Sequence, residues 1–220
     1  ERIEKICKYV KDKVSWNGVH DCLAYPPKTV LENRTGSSAD INLLLASMLT
    51  KAGLDANPVL TTTRSHGPIY PDFPSSRQFN HVLVRVNNKL DTLFLVAPDG
   101  NLAYDAIPLE SANYLGLLVS TKLIDWITIE PSSNGNTTLM ADLQLSESGD
   151  LVGKAGFTYD GYAAHDARKS YEADRTQYFL KGFSAEKHPV FKTSEVLNLD
   201  DPSQPLQVNH ELTIPEHAVV

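Results

Sequence analysis

Arg34-Thr35-Gly36-Ser37-Ser38-Ala39-Asp40-Ile41-Asn42-Leu43-Leu44-Leu45 is the stretch whose reading decides the fold. Ser37 to Asp40 has the S-x-x-D form of a capping box, with Asp in place of the usual Glu. Ile41, Leu44, Leu45, Met48 and Ala52 then recur at helical spacing, and Gly53 fits the left-handed position just past a helix end. The pattern predicts a buried helix that opens at Ser37 or Ser38 and runs to about Ala52.

Upstream, Ile3, Ile6, Cys7, Val10 and Val14 give a helical stripe that puts Cys7 on the buried face, and Trp16-Asn17-Gly18 reads as the turn that stops it. A short helix fits Pro26 to Asn33, with Pro27 in its first turn. Downstream, Pro58 to Thr63 reads as a strand, followed by a loop from Arg64 to Arg77. Phe79 to Val86 and Leu93 to Val96 read as a hairpin about Asn87-Asn88-Lys89. With the turn centred on Asn88, cross-strand partners sum to about 176. His81 then faces Leu95 or Val96, and Asp91 faces Arg85, more than about 10 Å from His81. Leu115 to Ser120 and Trp126 to Ile129 are further strands.

Pro131 to Asn136 is the best linker, dividing the chain into 1–133 and 134–220. Beyond it, Leu139, Ala141, Leu143 and Leu145 alternate with polar residues, as in a half-buried strand. Leu151 to Tyr159, Val190 to Leu197 and Leu206 to Ile214 read as strands. A polar helix fits Tyr162 to Lys181, stopped by Gly182. Its charges Asp166, Arg168, Lys169, Glu172, Asp174 and Arg175 read as a solvated face.

The formal net charge of −7, with acids dispersed, argues against nucleic acid as a partner. No apolar run approaches the roughly 20 residues that span a bilayer. Two cysteines, Cys7 and Cys22, leave the redox compartment open. The abrupt helical start and the strand-like stretch before Val219-Val220 read as a fragment of a longer chain, its second domain truncated.

Three stretches, Arg34 to Leu45, Ala52 to Leu60 and Phe79-Asn80-His81-Val82, resemble in order the motifs of the transglutaminase-like superfamily. There a Cys opens a helix behind a G-x-C turn, a His begins a later strand, and an Asp on the next strand completes the triad. The resemblance covers about residues 1–130. It implies an α+β fold: a transglutaminase-like (papain-like) core followed by an antiparallel β-rich domain. The chain is more similar still to a subgroup in which this core is flanked by β-rich domains of unknown function in exported proteins of Gram-negative bacteria. The segment Ala141 to Arg168 resembles the start of the C-terminal partner. Periplasmic, outer-membrane-associated or secreted localisation follows from that resemblance alone.

The family chemistry needs a thiolate at a helix N-terminus, an imidazole as base, and a carboxylate that orients it. Here Ser38 stands at the Cys position and His81 at the His position. Leu95-Val96-Ala97-Pro98 matches the family's L-D-A-T, so Val96 stands at the acid position, where Leu90-Asp91-Thr92 offers a rival match through Asp91. A triad lacking two members loses orders of magnitude in rate. The expectation is a non-catalytic binding or scaffolding module whose partner is a protein, peptide or glycan. The alternatives are a hydrolase or acyltransferase using Ser38 and His81, and a structural spacer. On this reading, the change Ser38→Cys with Val96→Asp rebuilds the triad.

Trp16, Asn17, Ser37 and Asn80 are the residues expected to border a cleft. Each candidate also has a plainer role: Ser38 as a helix cap, His81 as a locally bonded strand histidine, Asp99 as a turn former, Cys22 as a loop thiol. Tyr9, Trp16, Tyr25, Tyr70 and Phe73 either line a groove or, more commonly for such residues, pack in the core or loops. His20, Asp21, His66 and His81 match no metal-ligand spacing, and neither metal nor cofactor is expected.

Overall fold

The computed structural model describes residues 1–88, 91–97, 101–131, 133–180 and 188–217. The capping box at Ser37 forms as read. Ser37 Oγ accepts from the Asp40 amide at 3.2 Å, and Asp40 Oδ2 accepts from the Ser37 amide at 2.8 Å. The helix it opens, α3 (Ser38–Lys51), ends at Ala52, and Gly53 sits at φ +81. Before it come α1 (Arg2–Lys13) and α2 (Pro27–Asn33), with the short parallel strands β1 (Ser15–Trp16) and β2 (Thr35–Gly36). Gly36 is required by close approach, because a Cβ there would lie 2.7 Å from Asp40 Cβ.

The chain falls into two compact units, residues 1–132 and 133–220. In the first, α3 packs on a five-stranded antiparallel sheet of order β5-β4-β3-β6-β7: β3 (Asp55–Thr61), β4 (His81–Asn88), β5 (Asp91–Leu95), β6 (Tyr114–Val119) and β7 (Ile124–Ile129). Alternation along β4 splits the core. Val84 and Val86 pack with Ile41, Leu45 and Leu49 of α3, whereas Leu83 joins Val59, Leu118 and Ile129 on the other face. In the second unit, β8 (Gly135–Leu145), β9 (Leu151–Gly161), β10 (Val190–Leu197) and β11 (Leu206–Ile214) form an antiparallel sheet of order β10-β11-β9-β8. The helices α4 (Tyr162–Ala173) and α5 (Arg175–Leu180) accompany it. The fold is therefore α+β.

Four expectations need correction. The β4–β5 hairpin pairs Val84 with Leu95 and Asn88 with Asp91, not Asp91 with Arg85, because β4 continues through Asn88 before the connection. The polar helix after β9 breaks at Asp174, whose extended backbone caps α4 and whose Oδ1 accepts from the Thr176 and Gln177 amides of α5. Lys181 and Gly182 lie outside the described residues. Arg168 does not belong to a solvated face: it is 1% exposed, buried against the chain at 198–204. The alternating residues of β8 are not half-buried either; almost all of that strand is exposed on both faces.

Candidate functional site

The N-terminus of α3 is sealed by the chain that precedes it. Asn17 N donates to Gly36 O at 3.0 Å, and the Ser38 amide donates to Val19 O at 3.0 Å. The Ser38 hydroxyl accepts from the Asp21 amide at 3.2 Å and donates to Asp21 O at 3.4 Å. Asp40 Oδ1 takes the Tyr25 amide at 2.7 Å. Residues 17–25 thus form a strap pinned at several points to the start of α3, and Ser38 beneath it is fully buried. An amide at a helix N-terminus is one of the free donors that would stabilise an anion there. At Ser38 that donor is already satisfied by a carbonyl.

His81 opens β4, opposite Thr61. Its ring is buried and bonded at both ends: Nε2 lies 3.0 Å from Ser111 Oγ, and Nδ1 lies 3.3 Å from Nδ1 of His20. A neutral imidazole satisfies this arrangement in either tautomer, since the Ser111 hydroxyl donates or accepts as required and one Nδ1–H serves the other ring. Burial, reinforced by the neighbouring His20, lowers the His81 pKa to about 3. His20 is also shifted down by burial, partly offset by the Glu110 carboxylate. Trp16 packs on His20 with ring centroids 5.0 Å apart, and its Nε1–H donates to Val19 O at 3.0 Å.

The loop that supplies Ser111 is itself fixed. Glu110 O and Oε1 accept from the Arg64 and Ser65 amides at 2.9 and 2.8 Å, and the Arg64 guanidinium donates to Ala112 O. Those Ser65 bonds hold the Glu110 carboxyl below its ordinary range. Asn80 ties in the segment before Arg64, accepting from the Thr63 amide at 2.9 Å and donating to Thr63 Oγ1 at 3.0 Å.

The expected triad positions are not joined by hydrogen bonds among the described residues. Ser38 is bonded to Asp21 and His81 to His20 and Ser111. Val96 is buried with Leu83, Val59 and Ile107, beyond the last paired residue of β5. Continuing the β4–β5 register sets Val96 beside Leu83 rather than His81, and Pro98 lies outside the described residues. The predicted pairing of His81 with Leu95 or Val96 is thus overturned. Asp91 sits seven residues along β4 from His81, about 23 Å away. Asp99 lies outside the described residues.

Of the cleft residues, Ser37 is the buried N-cap, and Asn17 turns the strap by accepting from the Val19 amide at 3.0 Å. Cys7 is buried and pushed up to about 11 by desolvation. Cys22 is raised by burial and by Asp21, the opposite of an activated thiol. Tyr9, Trp16, Tyr25, Tyr70 and Phe73 are not core residues: all are 41% exposed or more. His66 Nε2–H donates to Arg77 O within its own loop, and no group of three or more His, Cys, Asp or Glu suited to a metal is gathered among the described residues. Sequence reasoning missed Ser111 entirely and weighed His20 only as a ligand, since the pairing of 20, 81 and 111 is a long-range product of the fold. Compared with known protein families, with curated proteins and with solved structures, the chain matches none.

Proposed function

We propose that the chain is a non-catalytic module with a transglutaminase-like core, acting as a scaffolding or binding element of a larger exported bacterial protein. The observation that carries this reading is that the Ser38 hydroxyl and the His81 imidazole are both buried and bonded to different partners, with no carboxylate bonded to His81 among the described residues. A nucleophile needs a base within hydrogen-bond reach and a substrate at its oxygen. Here the strap occupies the space over Ser38, and the imidazole, held far below its ordinary pKa, is a poor proton acceptor near neutral pH. The same burial favours the scaffolding sense of the reading over ligand capture at the old catalytic position.

The test is an activity assay of the chain on casein and on glutamine donor peptides, beside labelling with a fluorophosphonate. No turnover and no labelling at Ser38 are expected. Ser38→Ala and His81→Ala should change the stability of the first unit and leave the assays at background. Turnover that disappears in either variant overturns the reading and favours the hydrolase or acyltransferase alternative.

A further inference from the structure

The two edges of the second unit's sheet differ in a way that assigns them different roles. At one edge, β10 carries a register shift between Phe191 and Thr193, together with Lys192 and Glu195. A bulge and charged side chains are the devices by which an edge strand is kept from pairing with another chain. At the other edge, β8 has no bulge and a single charged side chain. It pairs with β9 from Gly135–Gly161 to Leu145–Leu151 without a shift, over eleven residues. Those residues hold no proline and no lysine, and Asp142 is their one charge. No hydrogen bond of the described residues reaches the strand from its open side.

The side chains of β8 point the same way. Leu139, Ala141, Leu143 and Leu145 share the face of Ala155 and Phe157, the face on which α4 packs. Near Gly135 the helix approaches it closely, since a Cβ there would lie 3.0 Å from Ala163 N. Farther along, Leu139 and Leu145 are each 56% exposed on what is elsewhere the core face. An apolar inner face that extends past its covering helix, beside an unblunted edge, is an incomplete sheet.

We propose that β8 pairs antiparallel with β8 of a second copy about a two-fold axis through Ala141, joining two four-stranded sheets into one. A strand with one charge in eleven offers nothing to select a charged partner, whereas it is complementary to itself. Centred on Ala141, Leu139 of each copy faces Leu143 of the other, and Asp142 faces Met140. Centred on Asp142 instead, like charges would be opposed, which is destabilising. The symmetric arrangement gives both copies the same contacts and closes the assembly at two.

Sedimentation of the chain across a concentration series tests the proposal, with cysteine cross-linking to read the register. The expected mass is twice that of one chain, falling to one chain in Ala141→Pro and in the gentler Leu139→Lys, whose side chain is already exposed. In a Cys22→Ser background, with Cys7 buried, mild oxidation of Ala141→Cys should give a covalent dimer, and Asn136→Cys should not. A single-chain mass at every concentration overturns the proposal. So does a dimer that persists in both Ala141→Pro and Leu139→Lys with the circular dichroism unchanged, or equal cross-linking at positions 136 and 141.

Discussion

His81 in the first unit and Arg168 in the second are equally buried, at 1% exposure each, yet they meet the cost of burial in opposite ways. His81 gives up its charge: desolvation drives its pKa down, and its two nitrogens are served by the side chains of His20 and Ser111. Arg168 also has its pKa lowered by burial, but a guanidinium keeps its proton in any folded protein. It keeps its charge by gathering backbone carbonyls instead. Nε donates to Leu199 O, and Nη2 to the carbonyls of Asn198, Asp201 and Gln204, at 2.8 to 3.1 Å. The difference teaches what each group is for. Arg168 folds a loop around itself, and its partners are present whatever residues that loop carries. His81 is matched to two particular side chains and is sensitive to either.

The largest effect should come from breaking the Arg168 side of the comparison. Arg168→Met leaves four carbonyls of the 198–204 loop without their donor, and a loss of about 4 kcal/mol is expected. Both tryptophans, Trp16 and Trp126, belong to the first unit. Urea unfolding followed by tyrosine-region circular dichroism should therefore show the loss, while the indole emission midpoint stays in place. A common shift of both signals would mean that the clamp is not local to its unit.

Asn42 sharpens the contrast from inside the first unit, because it behaves like Arg168 rather than like its neighbour His81. Fully buried on α3, it donates to Val82 O at 2.8 Å and accepts from the Ala97 amide at 2.9 Å, tying the helix to β4 and to the residues after β5. Asn42→Ala orphans one backbone acceptor and one donor, which should cost about 3 kcal/mol in the indole-detected transition. A cost below about 1 kcal/mol would show that water replaces the side chain.

The smallest effect, and the most specific, is the acid sensitivity of His81. In the unfolded chain its imidazole takes a proton near its ordinary pKa, whereas the folded site resists protonation down to about 3. The contribution of neutral His81 is thus whole above the ordinary value and is lost as pH falls below it. Between pH 7 and pH 5 the first unit should lose about 2 kcal/mol more in the parent chain than in His81→Asn. Parallel pH profiles for the two proteins would show that the folded imidazole is protonated without penalty.

Much of the fold was legible because its signals are local. The box Ser37-Ser38-Ala39-Asp40 and the stripe after it define α3, and β10 and β11 keep the bounds read for them from the sequence. The hairpin register was not, because a shift in where β4 ends changes every partner while leaving the residue pattern intact. Alternation misled at β8 for a related reason: an edge strand keeps the period of a half-buried one, and only its neighbours decide whether the apolar face is covered. Arg168 was hidden among the charges of α4, although Ala164, Ala167 and Tyr171 around it mark the packed face of that helix. Ser38 and His81 were singled out from motif order. The bonds that occupy them come from positions 21, 20 and 111, which no local pattern connects.

The contact between Trp16 and His20 has an optical consequence. A protonated imidazole is an efficient quencher of an adjacent indole, and these rings lie 5.0 Å apart at the outer end of the chain of contacts that leads inward to His81 and Ser111. Trp126 packs instead on Phe79, which does not titrate. The molecule therefore carries its own paired dyes. One emitter dims as His20 takes up a proton, and the other supplies a steady reference within the same unit.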